Sequence, residues 1–151
     1  MKTILIIENK IDILENLTEA FELEGYKVLA ANNGMKGVEL AREFIPDLII
    51  SAILIGKISG YEVLKILLVG HKTSGIPFIF STTKSEKIDR EFAFELGVDD
   101  YIVKPYGLEE IYGMAKKWIK SGSERVVKNV SVCPSILNGS MLKQGLVGVA
   151  A

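Results

Sequence analysis

The chain has 151 residues, with 18 Lys and Arg against 19 Asp and Glu, for a formal net charge of −1. Hydrophobic residues make up 48% and charged residues 25%, the balance of a soluble globular protein with one real core and no room for a second full domain. Near-neutral charge removes the electrostatic reason to expect nucleic acid or an anionic membrane as partner, and the single cysteine, Cys133, has no internal disulfide partner, which suits a reducing cytoplasm.

The chain opens with the apolar run Ile4-Leu5-Ile6-Ile7, cut short by Glu8, Asn9 and Lys10. Four apolar residues are too few for a signal core or a membrane span, so the run is predicted as a strand. Ile13, Leu14, Leu17, Ala20 and Phe21 then form a helical stripe, with Gly25 as its stop. A second strand is predicted at residues 28–31. Asn33-Gly34 opens a second helix through Val38, Leu40 and Ala41, which ends before Pro46. Leu48-Ile49-Ile50-Ser51-Ala52 is the third strand. The third helix, residues 60–69, is apolar almost all round, and another segment is expected to cover its outer side. A fourth strand at 78–80 and a fourth helix at 85–96 follow, with Gly97 at the helix end. The fifth strand is predicted at 101–103. The last helix carries Leu108, Ile111, Ala115 and Trp118 on one side.

None of the strands shows clean alternation, as expected of strands buried on both faces of a parallel sheet. Five strands alternating with five helices predict a doubly wound α/β domain over residues 1–120, with helices on both faces. Residues 121–151 begin Ser121-Gly122-Ser123 and carry no recognisable motif. They are predicted as a flexible tail or a short strap around residues 126–132, too short for an output domain.

In such a sheet, ligands bind beyond the carboxyl ends of the strands. The residues expected there are Glu8 and Asn9, Ala52, Ser81 and Thr82, and Lys104. The first strand is followed by Glu8-Asn9-Lys10-Ile11-Asp12 and not by a glycine-rich turn, which argues against a dinucleotide site.

Three segments resemble the response-regulator receiver family. Ile4-Leu5-Ile6-Ile7-Glu8-Asn9 is similar to its first strand, which ends in an acidic pair. Phe78-Ile79-Phe80-Ser81-Thr82-Thr83 is similar to its fourth, which ends in Ser or Thr. Gly97-Val98-Asp99-Asp100-Tyr101-Ile102-Val103-Lys104-Pro105-Tyr106 is similar to its fifth strand and Lys-Pro-aromatic turn, the most specific of the three. The resemblance covers residues 2–120. It implies a flavodoxin-like, five-stranded parallel sheet in the order 2-1-3-4-5, and a signalling role in a two-component phosphorelay.

In that family an aspartate at the end of the third strand accepts a phosphoryl group. The acidic pair and that aspartate hold Mg²⁺, and the hydroxyl and the lysine bind the transferred oxygens. Here Glu8, Thr82 and Lys104 match, but the acceptor position is Ala52 and the second acidic position is Asn9. The proline of the following loop is also missing from Ala52-Ile53-Leu54-Ile55-Gly56. The resemblance therefore implies a degenerate phosphorylation site of Glu8, Asn9, Ala52, Thr82 and Lys104. It implies no catalytic residue, no enzymatic activity, no cofactor, and weak or absent Mg²⁺ binding at the residual acidic position Glu8. Lys104 is expected to turn to Glu8. Ser51 should face away from the pocket, since successive strand side chains alternate, and Asp12 should face solvent.

In receivers the positions of Thr82 and Tyr101 couple the pocket to the face of the fourth helix, fifth strand and fifth helix, the usual partner surface. Phe92 and Phe94 lie about 200° apart around the fourth helix, so they cannot both face the core. Phe94 is assigned to the core and Phe92 to the partner surface. The partner implied is a protein, either a histidine kinase or a downstream regulator, or a second copy through that face. Two other readings are open: a conventional receiver disabled by engineering at position 52, and a flavodoxin-like small-molecule binder using the vacated pocket.

Overall fold

The computed structural model describes residues 1–84 and 87–121. In chain order the elements are β1 (Thr3–Ile7), α1 (Ile11–Leu23), β2 (Lys27–Ala31), α2 (Gly34–Phe44), β3 (Leu48–Ser51), α3 (Gly60–Val69), β4 (Phe78–Thr82), α4 (Lys87–Leu96), β5 (Asp100–Val103) and α5 (Leu108–Ser121). The strands form one parallel sheet in the order β2-β1-β3-β4-β5, the order the receiver resemblance implies.

The sheet is apolar on both faces because each strand divides its side chains between two helical layers. Ile4, Ile6, Leu48, Ile50, Ile79 and Ile102 pack with Leu14, Leu17 and Phe21 of α1 and with Ile111, Ala115 and Trp118 of α5. Leu5, Ile7, Ile49, Phe78, Phe80 and Tyr101 pack on the other face with Val38, Val63, Leu67 and Ala93 from α2, α3 and α4. Two helix starts are capped by their own sequence. Asn33 accepts from the Lys36 amide at 2.9 Å, and Ser59 with Glu62 forms a reciprocal capping box ahead of α3.

Several boundaries differ from the expectation. β3 ends at Ser51, one residue before Ala52, and β4 continues through Thr82. The apolar surface of α3 is mostly accounted for by the domain itself. Val63, Leu64 and Leu67 are buried and Ile66 and Leu68 lean on the same core, which leaves Val69 as the one fully exposed apolar residue of that helix. The expected fourth-helix start at 85 and the tail at 122–151 lie outside the described residues.

The assignment of Phe94 to the core is wrong. The only fully buried residue of α4 is Ala93. Phe92 and Phe94 stand about 100° to either side of it, and they remain 44% and 39% exposed. A methyl group at the point of contact lets the helix lie close to the sheet, so neither ring has room beneath it.

Candidate functional site at the carboxyl ends of the strands

The carboxyl ends of β1, β3, β4 and β5 bring the expected residues into one neighbourhood. Glu8 follows β1 and is held by its own amide, which donates to the Ala31 carbonyl at 3.0 Å. Its side chain is buried, at 3% exposure for the residue. Oε1 lies 2.7 Å from Lys104 Nζ, and Oε2 accepts from the Lys10 amide at 3.1 Å. Lys104 is therefore paired as anticipated. Its place is fixed by its amide, which donates to the Thr82 carbonyl at 2.8 Å. Asn9 is exposed and lies outside this contact, and Asp12 is exposed at the first turn of α1.

Ala52 lies just past β3 with 6% exposure, and its amide donates to the Ile7 carbonyl at 2.9 Å. The following loop is pinned by Ile53 and Ile55, both fully buried. Gly60, the first residue of α3, lies over this loop so closely that a Cβ there would collide with the Ala52 carbonyl oxygen. Glycine is required at this approach by space and not by dihedral angle. The Ser51 hydroxyl is buried and donates to the Ala52 carbonyl at 2.7 Å, so it is engaged with the backbone.

Thr82, at the end of β4, is buried, and its Oγ1 accepts from the Lys84 amide at 3.1 Å. Beside it Ser81 shares a hydrogen bond of 3.2 Å with the Tyr106 hydroxyl. Burial raises the pKa of Tyr106; the Ser81 contact opposes the rise and the Glu8 charge adds to it. Tyr101 points inward from the edge strand β5, 3% exposed, and its hydroxyl donates to the Lys84 carbonyl. Burial pushes its pKa up to about 12 from the ordinary 10.0, with Tyr61 and Asp89 adding to the rise and Arg90 opposing it.

Phe92 finds its ring partner on α3. Its ring meets Tyr61 of α3 edge-on at 5.0 Å. Tyr61 in turn meets Phe80 at 5.4 Å, and Phe80 meets Tyr101 at 6.5 Å. Phe92 thus sits at the α3 flank of α4, and it is Phe94, under Arg90, that lies towards β5.

Three participants escaped the sequence reading. Arg90 stands four residues before Phe94 on a helix, a spacing that places the two on one face and could have been noticed. Tyr61 had no signal beyond being an aromatic at a helix start. Lys84 takes part through its backbone, which leaves no trace in the sequence.

Among the described residues, no three His, Cys, Asp or Glu side chains gather to hold a metal ion. The carboxylate at the pocket already has an ammonium on one oxygen and an amide on the other.

The sequence model of the response regulator receiver domain matches residues 4–116. The chain is 33% identical over 116 residues to a CpxR homolog of Haemophilus influenzae, a transcriptional regulatory protein, covering 77% of this chain and 49% of that one. It is 32% identical over 111 residues to the response regulator SaeR of Staphylococcus aureus, covering 74% and 47%. The chain spans about half the length of these curated relatives. Among solved structures, the receiver domain of a histidine kinase from Syntrophus aciditrophicus superposes with a TM-score of 0.74 at 30% identity, covering 80% of this chain and 92% of that one. A putative response regulator from Chloroflexus aurantiacus gives 0.75 at 25% identity, covering 79% and 98%.

Proposed function

The chain belongs to the response regulator receiver family of two-component signalling, and from that premise we propose that it signals by binding a protein partner without accepting a phosphoryl group. The observation that carries this reading is Ala52. It occupies the position just beyond β3 where the family places its nucleophile, and a methyl group cannot attack phosphorus. The neighbours do not replace it: the Ser51 hydroxyl is bound to a backbone carbonyl and Asp12 faces solvent. No catalytic role is left for the pocket, and the module has no enzymatic activity of its own.

The donor set does not fit Mg²⁺. That ion demands octahedral oxygen ligation and gives up its water reluctantly. Glu8 is committed to Lys104 and to the Lys10 amide, Asn9 is neutral, and position 52 offers no oxygen from its side chain. Binding of Mg²⁺ is weak or absent on this reading, and no step of its function runs through the metal.

The partner is a protein of the same signalling class, a histidine kinase or a downstream regulator, or a second copy of the chain. A net charge of −1 gives no pull towards nucleic acid, and no helix among the described residues is long and apolar enough to cross a membrane.

The test is direct. The purified protein, incubated with acetyl phosphate and Mg²⁺, is expected to show no phosphoryl adduct by intact mass. A stoichiometric adduct mapping to residues 48–56 would overturn the reading.

A further inference from the structure

Lys84, in the connection from β4 to α4, is held at both of its backbone groups. Its amide donates to Thr82 Oγ1, and its carbonyl accepts from the Tyr101 hydroxyl. One peptide segment therefore joins the pocket end of β4 to a ring on β5. The position of that ring bears on where the Lys84 backbone sits.

Arg90 holds the ring from the outside. Its guanidinium lies 5.5 Å from the centre of Tyr101 and 5.3 Å from the centre of Phe94, and Nη1 lies 3.4 Å from the Tyr101 carbonyl. Phe80 meets the same ring from within the core. β5 is an edge strand, yet Tyr101 is only 3% exposed. A planar, charged fork can cover aromatic faces and reach a backbone carbonyl together, which an ammonium on a flexible stem cannot do as well.

We propose that Arg90 is a positioning residue that keeps Tyr101 inward and, through the Tyr101–Lys84 bond, holds the Lys84 backbone against Thr82 with no phosphoryl group at the pocket. The inference rests on the phosphorylation-independent reading above and names the side chain that holds Tyr101 in place of a phosphoryl signal. Its route is short: the Arg90 side chain to the Tyr101 ring, the Tyr101 hydroxyl to the Lys84 carbonyl, the Lys84 amide to Thr82.

The experiment is tyrosine nitration of the full chain by tetranitromethane, without a phosphoryl donor, with sites mapped by peptide mass. Tyr101 is expected to react more slowly than Tyr26 and Tyr112. Arg90→Ala is expected to raise the Tyr101 rate about tenfold, as a local opening, while Tyr26 and Tyr112 stay within about twofold. Hydrogen exchange at the Lys84 amide should rise with it. Arg90→Lys, which keeps the charge and loses the fork, should fall between. An unchanged Tyr101 rate in Arg90→Ala overturns the proposal. So does an equal rise at every tyrosine with a lowered Tm, which would mark Arg90 as merely structural. Failure of the underlying reading looks different: acetyl phosphate would label the wild-type protein whatever Arg90 does to Tyr101.

Discussion

Lys104 Nζ and Glu8 Oε1 lie 2.7 Å apart, and this contact ties the end of the edge strand β5 to the end of β1. The two side chains are 18% and 4% exposed, so water screens the pair poorly. In a pocket that needed its lysine free for an incoming phosphoryl oxygen, such a pair would compete with the chemistry. The pair neutralises a buried carboxylate.

Removing one member should therefore cost more than removing both. Lys104→Met leaves Glu8 buried with only the Lys10 amide and is expected to destabilise by about 3 kcal/mol. Lys104→Met with Glu8→Gln should recover part of that loss, with a coupling of about 1–3 kcal/mol in a double-mutant cycle. Urea denaturation of the four proteins measures it. Additive losses would mean that the pair contributes nothing beyond packing.

Metal response offers a second check on the pocket. Millimolar Mg²⁺ should leave the Tm of the wild-type protein unchanged, because stabilisation follows the ratio of ligand to Kd. Restoring the two missing carboxylates with Ala52→Asp and Asn9→Asp should make Tm rise with Mg²⁺. If the doubly restored protein is as indifferent as the wild type, Ala52 and Asn9 are not at the cation position.

On α4 the order of sensitivity should run opposite to a core assignment for Phe94. Phe94→Ala is expected to cost about 1 kcal/mol, since that ring is partly exposed beside Arg90. Phe92→Ala should cost about 1–2 kcal/mol through the lost edge contact with Tyr61. Ala93→Leu, which forces a larger group into the one buried position, should cost about 1–3 kcal/mol and displace the helix. Thermal and urea melts rank the three. A loss from Phe94→Ala well above that from Ala93→Leu would contradict the packing described above.

Tyr101 predicts a loss of stability in alkali. Its folded pKa is raised from 10.0 to about 12, so between those values the folded state keeps a proton that the unfolded state releases. The contribution is fully present below pH 10.0 and is lost as pH rises towards about 12. Tyr101→Phe should flatten that part of the stability curve while losing the bond to the Lys84 carbonyl. A difference titration of tyrosinate absorbance, wild type minus Tyr101→Phe, should show one hydroxyl ionising near pH 12. Ionisation of that hydroxyl near pH 10 would mean the ring is not held inward.

Fold class was legible in the chain because burial on both faces of a parallel sheet leaves a local mark: runs such as Ile4 to Ile7 and Leu48 to Ile50, each followed by a helical stripe. The strand ends were also readable, since β1, β4 and β5 run straight into Glu8, Thr82 and Lys104, which the fold brings together. Identity at position 52 is likewise a property of sequence alone. Tertiary structure decided what those residues touch. It turned Phe94 outward because Ala93 took the point of closest approach, placed Phe92 against Tyr61, and set Arg90 over Tyr101. None of these contacts has a local signature. Helical spacing says which residues share a face, but which face meets the sheet, and how closely, depends on neighbours far away in the chain. The Lys84 backbone link to Thr82 and Tyr101 lies further still from the sequence, because every residue but proline carries the same amide and carbonyl.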